Sequence, residues 1–201
     1  LLHDIGEVFL EADDTDERRR IRHHTMLGYE LLKNCTTEDI LAPHVALEHH
    51  EHQDGTGLPR GTHSSNAIER DRNMPPPIPT LIGEIAAVAD HYDRLLHGNG
   101  VTEAVPADEA LDTIRKLSGT VLNKAIVGSF LRCVPVYPVG CEIIVRSADH
   151  LNYTGVVEEV HPGELDRPII ILTRDNRQRL IEPVTIVLKE DKDTEIQCRL
   201  Y

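Results

Sequence analysis

The stretch Leu47–Pro59 reads Leu-Glu-His-His-Glu-His-Gln-Asp-Gly-Thr-Gly-Leu-Pro, and it constrains this chain more than any other. Two adjacent histidines, His49 and His50, close a helical run. An acidic residue, an Asp-Gly turn and a Gly-Leu-Pro stop follow. Neighbouring helix positions point roughly 100° apart. Two histidines so placed are expected to serve two ions lying side by side rather than to chelate one. The competing reading is a solvated helix end that runs into a loop.

Other residues of the same chemistry favour the metal reading. The chain has 12 histidines, and 10 of them fall within the first 97 residues. His3-Asp4 opens the chain, His24 lies four residues before Gly28, and Asp90 sits on or beside the apolar face of a helix. A carboxylate there is costly unless it is paired or metal-bound. The candidate ligands are therefore His3, Asp4, His24, His49, His50 and Asp90. Six such groups are too many for one catalytic ion with open positions, but they suit two, with Asp4 as the bridge. Nitrogen and oxygen donors without thiolate suit Fe, Mn, Ni or Zn.

At 201 residues the chain can hold one large domain and a small appendage. The first part reads as helices over about 1–10, 17–34, 37–53, 80–97, 106–117 and 123–133. Thr36 or Thr37 caps the third, with Glu38 and Asp39 in its first turn. Ile21, Leu27, Leu31 and Leu32 are expected to face inward from the second, and Ile82, Ile85, Val88 and Ala89 from the fourth. From Cys141 the pattern changes to period two, with strands over about 142–146, 154–160, 168–173 and 184–188. The expected fold is mainly α: a helical bundle over 1–135, and a small C-terminal β-barrel or β-sandwich over 136–201.

The net charge of −13 argues against nucleic acid or an anionic membrane as partner. No apolar run reaches the roughly 18 residues of a membrane span. Four scattered cysteines with no C-x-x-C pair fit a reduced, cytoplasmic setting. The absence of Met at Leu1 implies a piece of a longer protein.

Four motifs in order now carry a resemblance. They are His3-Asp4-Ile5-Gly6, His24 before Gly28, His49-His50-Glu51-x-x-Asp54-Gly55-x-Gly57-Leu58-Pro59, and Ala89-Asp90-His91-Tyr92-Asp93. Over residues 1 to about 135 they resemble the HD-GYP family of the HD phosphohydrolase superfamily. The resemblance implies an HD-domain helical bundle with two or three metals, often iron or manganese, held by the six residues already named. Ligands of a third metal would lie on a helix ahead of His3.

The implied activity is hydrolysis of cyclic di-GMP to pGpG or GMP by a hydroxide held between two metals, with Asp4 and His3 at the centre. A homodimer is also implied. The tail from Tyr137 resembles the β module that often follows such domains.

The departures from the family pattern are Glu7 for Lys, Leu58 for the Tyr of GYP, Glu84 for Arg, Asn99 for a phosphate-contacting Arg, and Leu122-Asn123-Lys124 for Phe-Asp-Pro. About a dozen extra residues lie between Pro59 and Pro79. Substitute substrate contacts are sought at Arg60, Arg70, Arg72 and Arg94, with Asp54 and Gly55, and a signalling partner at the 55–79 loop. The departures motivate two rivals: a receptor that binds metal and nucleotide or a partner protein without turnover, and a hydrolase of another nucleotide or phosphoester.

Overall fold

Helix α1 (Glu17–Cys35) begins where Asp16 accepts the backbone N–H of Arg19 at 3.2 Å, satisfying a donor that the first turn leaves open. Its inward stripe is His24, Thr25, Gly28 and Leu32; of the expected Ile21, Leu27, Leu31 and Leu32, Leu32 is buried, Ile21 and Leu31 are half-buried and Leu27 faces out. Leu27 is exposed, and the stripe is mostly polar because it serves a site rather than an apolar core. The computed structural model describes residues 2–11, 15–35, 40–69, 78–98 and 102–199.

Two glycines bring the neighbouring backbone close to α1. Residues 5–9, expected at the end of an α-helix, form a 3-10 helix instead, with His3 and Asp4 in the turn before it. A Cβ on Gly6 would overlap the carbonyl of His24 and lie 2.8 Å from the nitrogen of Gly28. A Cβ on Gly28 would come within 3.4 Å of Ala46. Gly6→Ala is therefore expected to push the His3-Asp4 turn off α1 at a cost of about 1–3 kcal/mol. Thermal unfolding and metal content should fall together.

Helix α2 (Leu41–Glu48) packs on α1. It is shorter than expected, and the proposed caps Thr36 and Thr37 with Glu38 and Asp39 lie outside the described residues. After α2 the chain folds into an ordered loop rather than open coil. Gln53 and Asp54 donate their N–H groups to Val121 and Thr120, and Leu58 donates to His50, at 2.9–3.2 Å.

Helix α3 (Leu81–His97) follows, then α4 (Ala107–Leu117) and α5 (Lys124–Phe130). The buried residues of α3 are Gly83, Glu84, Ala87 and Val88; Ile85 and Ala89 are exposed, against expectation. The stripe is rotated because α3 turns a carboxylate inward. Glu84 accepts Gln53 Nε2 and Asn123 Nδ2, both at 2.9 Å, and all three residues are buried. Asn123 Oδ1 also accepts the N–H groups of Ala125 and Ile126 at the start of α5. Asn123→Ala removes a cap and leaves a buried carboxylate oxygen short of a donor. The expected loss is about 2–3 kcal/mol, read by denaturant unfolding.

The chain divides into two compact units. One comprises the residues up to Tyr92 with Ile114–Gly128; the other comprises Asp93–Thr113 and the chain from Ser129 on. In the second unit, β1 (Glu142–Val145), β2 (Thr154–Glu159), β3 (Ile169–Arg174), β4 (Leu180–Val187) and β5 (Ile196–Cys198) form one antiparallel sheet. The strand order is β4-β3-β2-β1-β5.

Alternate residues of β1 and β3 enter an apolar cluster of Ile143, Val145, Val157, Ile170, Leu172 and Leu188. The expected barrel or sandwich is corrected to an open sheet, with β4 and β5 as its edges. Strand β4 starts four residues before the expected point, because most of its side chains are exposed and carry no alternation. Its Pro183 sits where an edge strand tolerates a missing donor. Strand β5 escaped the sequence reading because it is only three residues long.

Candidate metal centre

Four elements of the first unit bring the six expected residues together. His3 and Asp4 come from the turn before the 3-10 helix, His24 from α1, His49 and His50 from the turn after α2, and Asp90 from α3. Their donor atoms form two groups, each within 4.8 Å: Asp4, His24, His49 and His50 in one, and His3, Asp4 and Asp90 in the other. Asp4 belongs to both. Its Oδ2 lies 3.0 Å from His3 Nε2, and its Oδ1 lies 3.2 and 3.4 Å from the Nε2 atoms of His49 and His24.

One expectation about this geometry is corrected. His49 and His50 fall in the same group, with ring centroids 4.2 Å apart. The 100° helical increment does not separate them, because α2 ends at Glu48 and both lie in the following turn.

The protons explain why this arrangement suits a cation. His24 Nδ1 lies 3.1 Å from the Arg20 carbonyl and His49 Nδ1 lies 3.0 Å from the Val45 carbonyl. A nitrogen facing a carbonyl must carry the hydrogen, so each Nε2 presents a lone pair. These two lone pairs are 3.4 Å apart and both face Asp4 Oδ1. Three acceptors meeting around one point repel one another unless a positive charge sits among them.

Burial lowers the pKa of His24 and favours its neutral form. On Asp4, burial favours the protonated form. The hydrogen bond from His3 outweighs it and holds the carboxyl well below the usual carboxylate range. His3, bonded first to Asp4 and then to Asp90, is raised to about 9. In the second group His3 Nε2 lies between carboxylate oxygens of Asp4 and Asp90, a pairing that a proton or a cation would satisfy. The donor set thus fits divalent cations.

The remaining expected contacts lie as follows. Arg60 is anchored: its Nη2 lies 2.6 Å from Glu48 Oε1, a carboxylate that is almost fully buried. Asp54 is exposed and accepts the N–H and hydroxyl of Thr56 at 3.0 and 2.7 Å, closing its own turn. Gly55 has φ +78°, and His63 fills the space that a Cβ would need. Arg94 is half-buried on α3, in the second unit. Arg70, Arg72 and Asn99 lie outside the described residues.

Arg18, Arg22 and the 55–61 loop line an open groove of about 400 Å³. Glu7 is exposed and Leu58 is buried.

Two buried carboxylates were not anticipated as a frame for the site. Glu51 accepts the N–H groups of Arg60 and Thr62 at 2.7 and 2.8 Å. Glu48 accepts the N–H and hydroxyl of Thr80 at 2.7 and 2.6 Å. The available signal was their place at the end of an apolar helix, where a solvated acid has no reason to sit.

A helical unit whose histidines and carboxylates converge from four elements defines a class of metal-centre proteins, and the comparisons place this chain within it. A family model described as HD domain matches residues 1–126. The chain belongs to the HD-domain family, as an HD-GYP member with Gly-Leu-Pro in place of Gly-Tyr-Pro.

It is 29% identical over 140 residues to a cyclic di-GMP phosphodiesterase of Thermotoga maritima, covering 65% of this chain and 35% of that protein. It is 26% identical over 195 residues to a cyclic di-GMP phosphodiesterase of Pseudomonas aeruginosa, covering 93% and 43%. It is also 25% identical over 157 residues to a 3′3′-cGAMP-specific phosphodiesterase of Vibrio cholerae, covering 74% and 31%. The chain thus spans well under half the length of these relatives. No described helix is long and apolar enough to cross a membrane.

Proposed function

We propose that this chain carries the catalytic centre of a metal-dependent phosphodiesterase acting on a cyclic dinucleotide, cyclic di-GMP first, with pGpG or GMP as product. The observation that supports this most is Asp4 standing in both donor groups. His3, Asp4, His24, His49, His50 and Asp90 would hold two divalent ions, iron or manganese by family resemblance. Such ions supply an activated water and neutralise charge on the phosphoryl oxygens.

The chain's own contribution is placement. Asp4 presents one oxygen to each group, and the carbonyls of Arg20 and Val45 fix the tautomers of His24 and His49. Gly57 packs against the His50 backbone and the Leu58 N–H donates to the His50 carbonyl, which fixes the chain next to that histidine. Residues 1–135 would form the metal-binding domain and 136–201 an appended module. A cytoplasmic setting, a homodimer, and a signalling partner at the 55–79 loop accompany this reading.

The test is turnover. Protein loaded with Mn or Fe(II) is incubated with cyclic di-GMP, 3′3′-cGAMP and a simple phosphodiester, and products are separated by chromatography. Cleavage of a cyclic dinucleotide that disappears on chelation is expected. Full metal loading, nucleotide binding by calorimetry and no product would overturn hydrolysis in favour of a receptor. The exposed Glu7, where the family has Lys, favours that second reading. Activity that appears only in Glu7→Lys would establish it.

A further inference from the structure

The second unit brings two thiols together far from any histidine cluster in the sequence. Cys141 immediately precedes β1, and Cys198 lies in β5 opposite Ile143. Cys141 packs against the same apolar cluster that contains Ile143, so both sulfurs lie on the inner face of the sheet. The Sγ atoms are 2.8 Å apart, and neither is in a disulfide. Cys198 is buried, while Cys141 is half-buried and reachable from solvent. Either sulfur can donate in this contact, and Cys141, the more exposed of the two, is the one a small disulfide reaches first.

Strand β5 has reason to need a fastening. It is an edge strand of three residues with β1 as its one neighbour among the described strands. The bonds Arg146 N–H to Glu195, Arg199 N–H to Glu142 and Tyr137 hydroxyl to Ile196 flank or hold it at 2.7–3.0 Å. A covalent bond from Cys141 to Cys198 would close the intervening chain into a loop and restrict the frayed and unfolded states.

We propose that Cys141 and Cys198 are a reversible oxidation site that takes a low-molecular-weight disulfide as oxidant and fastens β5 to β1. The Cys141 thiolate attacks one sulfur of the small disulfide, breaking its S–S bond and releasing one thiolate. Cys198 then attacks Sγ of Cys141 in the mixed disulfide and expels the second thiolate. The two protons of the protein thiols end on the two released thiols, so the protein pair is oxidised and the small disulfide is reduced. In a reducing compartment such a bond is transient and responsive.

The full chain is treated with glutathione disulfide and followed by intact mass, thiol titration and amide exchange. The expected product has lost two hydrogen atoms, shows two titratable thiols where the reduced chain shows four, and carries a Cys141–Cys198 crosslinked peptide. Exchange at Ile196–Cys198 should slow on the order of tenfold and recover with dithiothreitol. Cys141→Ser and Cys198→Ser should each show neither the crosslink nor the slowing, and the untreated chain serves as the reference for their folding. A glutathione adduct retained on Cys141 or Cys198, or a crosslink of either to Cys35 or Cys133, would overturn the proposal.

Discussion

Asp4→Ala is expected to empty both halves of the metal centre at once. The other five donor residues belong to one group each, so losing His50 or Asp90 should weaken one ion more than the other. Asp4 belongs to both. Elemental analysis of the purified variant should show both metals lost, where wild type is expected to bind about two per chain. Turnover of the cyclic dinucleotide should fall roughly 10³-fold or more, since the electrostatic term supplied by bound metals is worth several kcal/mol.

The fold should survive, because the Asp4 side chain is 46% exposed and the backbone contact at Gly6 remains. Circular dichroism and thermal unfolding of the metal-free forms separate the two effects. Asp4→Asn preserves the shape and should lose metal almost as completely, because an amide oxygen carries no charge. Wild-type metal stoichiometry in either variant would sink the bridging role and the two-ion reading with it.

The candidate centre was legible because its expected ligands are spelled by residue type and order. Histidine and aspartate at 3, 4, 24, 49, 50 and 90 need no knowledge of packing to be noticed. What held them in place was much less visible. Glu84 and Asn123 stand where the family pattern has Arg and Asp, and separately they read as a worn phosphate-binding layer. In the fold they are two ends of one buried contact, with Gln53 completing it. A single sequence cannot show that two departures compensate each other, because the contact joins positions 39 apart.

The same limit applies to the helix faces. Leu27 and Ile85 fit an apolar stripe by spacing, yet both are exposed, because His24 and Glu84 turned inward set the rotation of their helices. In the sheet, alternation is clear in β1 and β3, which border the apolar cluster, and absent in β4, which is exposed along most of its length. Hence β1 and β3 were readable while the start of β4 and the closure of the sheet were not.

Arg60 presents the sharpest contrast between the two kinds of reading, and its substitution should decide between them. A substrate-contacting arginine can be removed with little effect on folding and a clear rise in KM. The contacts here lead to the opposite expectation. Glu48 is buried at the end of α2, and its Oε1 has Arg60 Nη2 at 2.6 Å with His44 Nδ1 only at 3.4 Å. Its other oxygen is satisfied by Thr80.

Arg60→Ala would leave a buried carboxylate with one oxygen uncovered, a loss of about 3 kcal/mol. The consequence should spread to the centre, because the loop held by Glu48 and Glu51 packs Gly57 against the His50 carbonyl. Metal affinity should therefore drop along with thermal stability. Arg60→Lys keeps the charge without the planar fork and should recover part of both.

Glu48→Gln in the Arg60→Ala background removes the stranded charge. The double variant should be more stable than the sum of the single losses, with a coupling of about 1–3 kcal/mol. If Arg60→Ala instead stays within about 0.5 kcal/mol of wild type while substrate affinity falls, the anchoring role is wrong and the guanidinium belongs to the substrate.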